Sequence, residues 1–414
     1  MVAFHFPPAS ESSGIQRTLR FVQHLPALGW EPVVLSAHPR AYRRTSDDLM
    51  SQIPPGTEVM RAFALDTARH LSIAGRYPGF LALPDRWQSW RFGAIAAGMA
   101  LLRRLRCDAV WSTYPIATAH QIGASLNRRT GLPWIADFRD PMAQDGYPPD
   151  ARTWNSFKRI EEVAFANAAR CVFTTPGAAS EYRRRYPAVP PERTVVIENG
   201  YDEETFAGIE PHQSQTAQSP GRRLTLVHSG IVYPSERDPT QLMRALSILK
   251  TAGTVTKDNF RVCFRGSEHD AMLTRAADRA DVADLVQLLP PIPYGQALEE
   301  MMRADALLIM QASNCNAQIP AKLYEYLRAG RPILGLTDPA GDTAGLLRAS
   351  GIIAVAPLDS APGIAELLKQ FIEHPERRTD CIASETAVRS TSRRARAVEL
   401  AQLLDAVTTR RAGA

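Results

Sequence analysis

Apolar positions along this 414-residue chain follow two alternating rhythms. Short runs dense in Val, Ile, Leu and Phe read as buried strands. Between them lie longer stretches whose apolar residues return at the helical period. In the first half this predicts strands at Val2–Phe6, Pro32–Ser36, Ala109–Ser112, Trp134–Ala136, Cys171–Thr174 and Thr194–Ile197. The intervening helices fall at Gly14–Leu28, from Arg86 onward, at Ile116–Arg129, Thr153–Ala168 and Gly177–Tyr186. The rhythm lapses over residues 208–223, a polar stretch with two prolines and no period, which reads as a linker or surface loop.

Strands then resume at Leu224–His228, Phe260–Phe264, Val286–Leu288, Ala306–Met310, Pro332–Gly335 and Gly351–Val355. They alternate with helices at Pro239–Lys250, Asp270–Ala280, Gly295–Arg303, Pro320–Ala329, Ala344–Ala349 and Pro362–His374. Buried strands alternating with helices are βαβ units with a parallel sheet. The expected class is therefore α/β, with two Rossmann-like halves in tandem, residues 1–207 and 224–387. Ligands of such sheets bind beyond the carboxyl ends of the strands, so the default site is a cleft between the halves.

Composition narrows the class. Hydrophobic residues make up 45% and charged residues 22%, typical of a soluble globular chain. No apolar run reaches the ~18–20 residues of a membrane span. Met1–Pro8 has neither a basic n-region nor an apolar h-region, so no secretory leader is expected. The five cysteines are scattered and never C-x-x-C, which fits a reducing, cytoplasmic compartment and neither a disulfide framework nor a zinc site.

Net charge is +5, of which residues 1–207 hold +4. The densest basic cluster, Arg86–Arg106, is free of acids and holds five arginines with Trp87 and Trp90. It reads as an amphipathic helix burying Ile95, Met99 and Leu102, or as a peripheral contact with an anionic membrane. Nucleic-acid binding would call for a longer basic stripe and is not expected.

Candidate chemistry concentrates in Asn316–Pro332. Pro320 suits a helix start and Gly330 its end, so the helix presents free backbone N–H groups after a strand, an anion site. Lys322 in the first turn opposes the helix dipole, a conflict that a bound phosphate removes. Glu325 lies on the same face, placed to accept from a sugar diol; an ordinary Lys–Glu surface pair is the plainer reading. There is no D-x-D, no H-x-x-x-H, no G-x-G-x-x-G, no G-x-x-x-x-G-K-[ST] and no G-x-S-x-G. Metal-clamped, dehydrogenase, NTPase and hydrolase chemistries are accordingly not expected.

Six segments in order complete the pattern: Phe6-Pro7-Pro8 with Ser13-Gly14-Ile15 and Arg17; Pro133–Pro141; Ile197–Asp202 with Phe206; His228-Ser229-Gly230 with Arg237-Asp238-Pro239; Phe264-Arg265-Gly266; and Ile319–Pro332. With them the chain resembles the retaining, GT-B-fold glycosyltransferases of family 4, especially sugar transferases of bacterial surface-polysaccharide synthesis. The resemblance implies a nucleotide-diphospho-sugar donor on the second half and a glycan or lipid-linked acceptor on the first, without metal or other cofactor. A terminal helix, residues 388–408, is expected to return to the first half.

The resemblance also implies roles. Arg237 and Lys322 correspond to the basic pair on the donor pyrophosphate, and Glu325 to the glutamate on the ribose. Gly14, Gly230, Gly266, Ile292, Gln318 and Ala321 would line the donor. His120, Asp137, Arg139 and Asp140 would face the acceptor, although a buried Asp–Arg pair and a core histidine are the plainer readings. The first glutamate of the family's pair falls at Ala317, leaving Gln318 or loop amides to contact the donor sugar. Two other readings stay open: a non-catalytic GT-B subunit of a partner transferase, and a nucleotide-sugar 2-epimerase.

Overall fold

The computed structural model describes residues 1–10, 14–209 and 223–412, with side chains to residue 408. It divides into two compact units, Met1–Glu198 with Arg393–Ala414, and Asn199–Ser392.

The first unit is built on six parallel strands: β1 (Val34–Ala37), β2 (Val59–Ala62), β3 (Val110–Thr113), β4 (Trp134–Arg139), β5 (Arg170–Phe173) and β6 (Thr194–Val196). Val2 bridges β1 and β3, so the order is β2-β1-Val2-β3-β4-β5-β6. The strand expected at Val2–Phe6 shrinks to this single bridge. Beyond it the Phe4 carbonyl accepts from Ser36 Oγ (3.0 Å) and Tyr42 OH (2.8 Å), so side chains replace the ladder.

Flanking helices are α1 (Gly14–His24), α2 (Thr67–His70), α3 (Trp90–Leu105), α4 (Thr118–Thr130), α5 (Ala151–Asn167) and α6 (Pro176–Arg185). Pro26, which lacks an N–H, ends α1 short of the expected Leu28 and begins a 3₁₀ turn. The third helix starts at Trp90 and not at Arg86, because the Asp85 carboxylate takes the Trp87 N–H (3.0 Å) and holds the preceding residues in turns. Helix α3 buries Trp90, Ala94, Gly98 and Leu101, and Ile95, Met99 and Leu102 pack half-buried against the same core. The β4–β5 side of the sheet is filled by Phe138, Phe165, Phe173 and Tyr182, all fully buried.

In the second unit α7 (Glu203–Ala207) leads to β7 (Leu224–Ser229), α8 (Thr240–Thr251), β8 (Phe260–Arg265), α9 (Asp270–Arg279) and β9 (Val286–Leu289). There follow α10 (Tyr294–Arg303), β10 (Ala306–Gln311), α11 (Ala321–Ala329), β11 (Ile333–Thr337), α12 (Asp342–Ala349), β12 (Val355–Ala356), α13 (Ala361–Glu373) and α14 (Glu385–Ser390). The parallel sheet runs β12-β11-β10-β7-β8-β9. The chain winds outward from β7 through β8 and β9, then returns to β10 and winds the other way. The strand order therefore reverses between β7 and β10, a switch point where a crevice opens at the strand ends.

The boundary lies earlier than the expected residue 207, because Tyr201 and Phe206 are buried in the second unit's core with Leu226, Leu323 and Leu334. Most of the expected linker, residues 210–222, lies outside the described residues. The final helix, Arg393–Ala412, belongs to the first unit: Ala397, Leu400, Leu404 and Val407 cover Phe21, Leu25, Trp111 and Ile135.

Candidate active site

In the second unit, the switch point collects the cations. Strand β7 ends at Ser229, whose N–H donates to the Tyr326 hydroxyl (2.8 Å) of α11. Gly230 follows with φ +100°, a conformation L side chains rarely adopt, and a Cβ there would lie 3.1 Å from Lys322 Nζ. Glycine thus leaves the room that brings the lysine against the backbone. Helix α11 starts at Ala321 with no side-chain cap and is closed by left-handed Gly330. Lys322, in its first turn, lies against His228 and Gly230 at the end of β7.

Lys322 Nζ lies 3.1 Å from His228 Nε2, its only partner among the described residues. His228 is fully buried and its Nδ1 lies 2.9 Å from the Leu308 carbonyl. A carbonyl can only accept, so Nδ1 carries the proton and Nε2 offers its lone pair to the ammonium. Burial, with Lys322 adding repulsion, holds His228 well below the usual histidine range. Burial likewise lowers Lys322 to about 7, and neighbouring Arg237 adds to the shift. A half-buried ammonium facing a neutral imidazole and a guanidinium is a site built for an anion.

Arg237 is 8% exposed, donates through Nη1 to the Ile231 carbonyl (2.7 Å) and stacks over Tyr233 at 5.1 Å. Its Nε is buried and has no hydrogen-bond partner among the described residues. Glu325 accepts a hydrogen bond from Tyr294 OH (2.6 Å), which fixes its carboxylate on the exposed side of α11. Gly266, at φ +62° after β8, packs against Pro291 beside half-buried Ile292. Gln318 is anchored by its backbone, the N–H to Cys315 (2.9 Å) and the carbonyl to Thr343 Oγ1 (3.1 Å). Gly230, Arg237 and Lys322 are thus gathered at one point, with Glu325 one helical turn beyond Lys322. Three of these contacts had no counterpart in the sequence reading, although His228 stood in a quoted motif: His228 to Lys322, Tyr326 to Ser229 and Tyr294 to Glu325. His228 and Tyr326 sit in sequence among apolar strand and helix positions; Tyr294 is 31 residues from Glu325.

In the first unit Gly14 opens α1, while Ser13 of the same motif lies outside the described residues. Asp137 is not offered to an acceptor. It is fully buried and clamped by Arg17 through Nε (3.0 Å) and Nη2 (2.9 Å), and Thr113 Oγ1 donates to it as well (2.9 Å). Arg17 also donates to the Ile197 and Glu198 carbonyls (both 2.9 Å), tying α1 to the end of β6. His120 is likewise a core residue. Its Nδ1 shares a hydrogen bond with Ser112 Oγ (2.8 Å), which itself accepts from Trp134 Nε1 (2.8 Å), and burial lowers the imidazole to about 4. Arg139 and Asp140 do reach the strand end. Arg139 takes φ +55° beyond the register shift of β4, and Asp140 is exposed. Beside Arg139, burial and that guanidinium lower His5 to about 4.

Residues 13–200 match the description "Glycosyl transferase 4-like domain". The match covers just under half of the chain, and the fold of the whole is GT-B. Solved structures of the same fold span almost the whole chain. A sucrose-phosphate synthase from Thermosynechococcus elongatus is 14% identical with TM-score 0.67, covering 99% of each chain. Anabaena HepE in complex with UDP is 11% identical with TM-score 0.67, covering 98% of this chain and 99% of its own. A glycosyltransferase from Rickettsia africae is 12% identical with TM-score 0.65, covering 98% of each. No curated protein matches the chain in sequence. Among the described residues, no helix is long and apolar enough to cross a membrane.

Proposed function

We propose that the protein transfers a hexosyl group, with retention, from a nucleotide-diphospho-sugar to a hydroxyl of a lipid-linked or polysaccharide intermediate at the cytoplasmic face of a membrane. The carrying observation is the Lys322 ammonium, half-buried beside Gly230 and Arg237 and facing a neutral His228. HepE, of the same fold, has been solved with UDP and with UDP-glucose, which supports a donor of that class.

The pyrophosphate would lie over Gly230, against the first-turn amides of α11, Lys322 and Arg237. Glu325, oriented by Tyr294, would accept from the ribose hydroxyls. As the glycosidic bond breaks, negative charge grows on the leaving diphosphate. Fixed cations and amides stabilise that charge without reorganising, so the protein can work by positioning and electrostatics, without a metal. The acceptor hydroxyl would attack from the face the diphosphate leaves, with a phosphate oxygen taking its proton. Ala317 leaves the donor sugar to Gln318 and backbone amides. On the acceptor side Arg139 and Asp140 remain as candidates.

The test is binding and turnover together. Calorimetry with UDP, GDP, ADP and TDP should find a binder, and the matching nucleotide sugars should hydrolyse slowly without acceptor. Binding without any hydrolysis would favour a non-catalytic subunit; no binding would end the proposal.

A further inference from the structure

Large apolar side chains are exposed unevenly on the first unit. Residues 63–92 carry six of them, among which Ile73 is 84% exposed, Phe80 67% and Phe92 72%. Tyr77 lies within the continuously exposed run of residues 73–80, and Leu71 is exposed just before it.

This segment is a fastened projection with an apolar tip. At its base Thr67 N–H donates to the Arg86 carbonyl (2.8 Å), Leu65 N–H to Ser89 Oγ (2.9 Å) and Thr67 Oγ1 to the Leu81 carbonyl (2.6 Å). At its tip Ile73 and Arg76 exchange both backbone hydrogen bonds (2.9 and 3.0 Å) around Ala74 and Gly75, both at positive φ. The tight turn sets the isoleucine and the arginine side by side, facing outward. Exposed apolar groups at this density mark an interaction surface.

Charge identifies the partner. From Phe63 to Arg106 the chain has two carboxylates, and both are turned inward. Asp66 is fully buried and caps α2 through the Ala68 N–H (3.0 Å). Asp85 is taken up by the Thr118 N–H (2.8 Å) and the Trp87 N–H (3.0 Å). The exposed charges of the tip are Arg76 and Arg69, whose Nη1 donates to the Tyr42 carbonyl and leaves its other N–H groups for a ligand. A second copy would bring like charge against like. Apolar side chains ringed by unopposed arginines fit a layer with an anionic surface and an apolar interior. We infer that the projection at residues 69–80 inserts Ile73 and Phe80 into the headgroup region of an anionic membrane while Arg69 and Arg76 hold its phosphates. This deepens the membrane part of the proposed function and moves the contact from α3, whose apolar face is packed in the core, to the tip before it.

The test is flotation of the full chain with vesicles of phosphatidylcholine and phosphatidylglycerol, against pure phosphatidylcholine. Wild-type protein should bind the anionic vesicles at low salt and lose most binding by 0.5 M NaCl. The Ile73→Ser/Phe80→Ser variant should partition at least tenfold less at low salt. Arg69→Gln/Arg76→Gln should bind weakly at every salt concentration. Nucleotide binding should stay at the wild-type value in both, since the tip is remote in sequence from Lys322 and Arg237. Arg76→Gln alone, which leaves the Arg69–Tyr42 bond in place, should keep the wild-type melting temperature while binding anionic vesicles more weakly. Equal binding to neutral and anionic vesicles would overturn the inference. So would wild-type flotation by the serine variant, or serine substitutions that changed self-association while vesicle binding stayed the same.

Discussion

Lys322 offers a test that needs no acceptor. Its ammonium is lowered to about 7 in the free protein, chiefly by burial and then by Arg237. A bound pyrophosphate restores the charged form's favourable surroundings, so nucleotide binding should draw in a proton above pH 7. With a free value of about 7, half the lysines are charged at pH 7 and about 1% at pH 9, and affinity falls with the charged fraction. The loss over those two units is about 50-fold, or about 2.3 kcal/mol. The window avoids the terminal phosphate, which titrates near pH ~6. Calorimetry with the best-binding nucleoside diphosphate, in buffers of differing ionisation enthalpy, should report about 0.9 proton taken up at pH 8. In Lys322→Met the affinity should be lower at pH 7 and flat from pH 7 to 9. The same shift acts on folding. The unfolded chain binds more protons than the folded one between the lowered value and the ordinary lysine value, so this group's contribution to stability rises with pH there. Lys322→Met should melt above wild type at pH 7. A wild-type affinity that does not change from pH 7 to 9, or a slope that survives in the methionine variant, would refute the reasoning.

Other residues carry separable expectations. Glu325→Ala should weaken nucleoside-diphosphate binding by about 1.5–3 kcal/mol, and Tyr294→Phe by about 0.5–1.5 kcal/mol, both read by calorimetry. Arg237→Ala should lower kcat at least about 10²-fold with a smaller change in donor KM, and Arg237→Lys should recover part of the loss. Turnover should persist in EDTA; its loss and restoration by Mg²⁺ or Mn²⁺ would assign the leaving-group charge to a metal. Arg17→Ala strands the buried Asp137 carboxylate and should cost about 3–5 kcal/mol in urea unfolding.

The alternation of strands and helices was legible because parallel strands covered on both faces read as unbroken apolar runs. Helix α11 was legible for a local reason, a proline before it and a glycine after it. What failed depended on distant partners. Asp137 looked available until Arg17, 120 residues away, was found in its clamp. His120 lies on a helix with no sign of Ser112 beneath it. Strand β2 is a half-buried edge strand, too short and mixed to announce itself. The unit boundary was misplaced because Tyr201 and Phe206 carry no local mark of the core they fill. The positions of Gly230 at a strand end and Lys322 at a helix start were legible because each follows from local chain geometry.

The final helix has a consequence for the order of events during synthesis. Asn199–Ser392 is a contiguous unit, finished once Ser392 leaves the ribosome. The unit begun at Met1 is not finished then, since Phe21, Leu25, Trp111 and Ile135 await Ala397, Leu400, Leu404 and Val407. At roughly 5–20 residues per second the nascent chain spends on the order of ten seconds or more making the later unit while the earlier one shows a bare apolar strip. The part made first is the last to be completed, and a chain stopped at Ser392 leaves that strip open to chaperones and proteases.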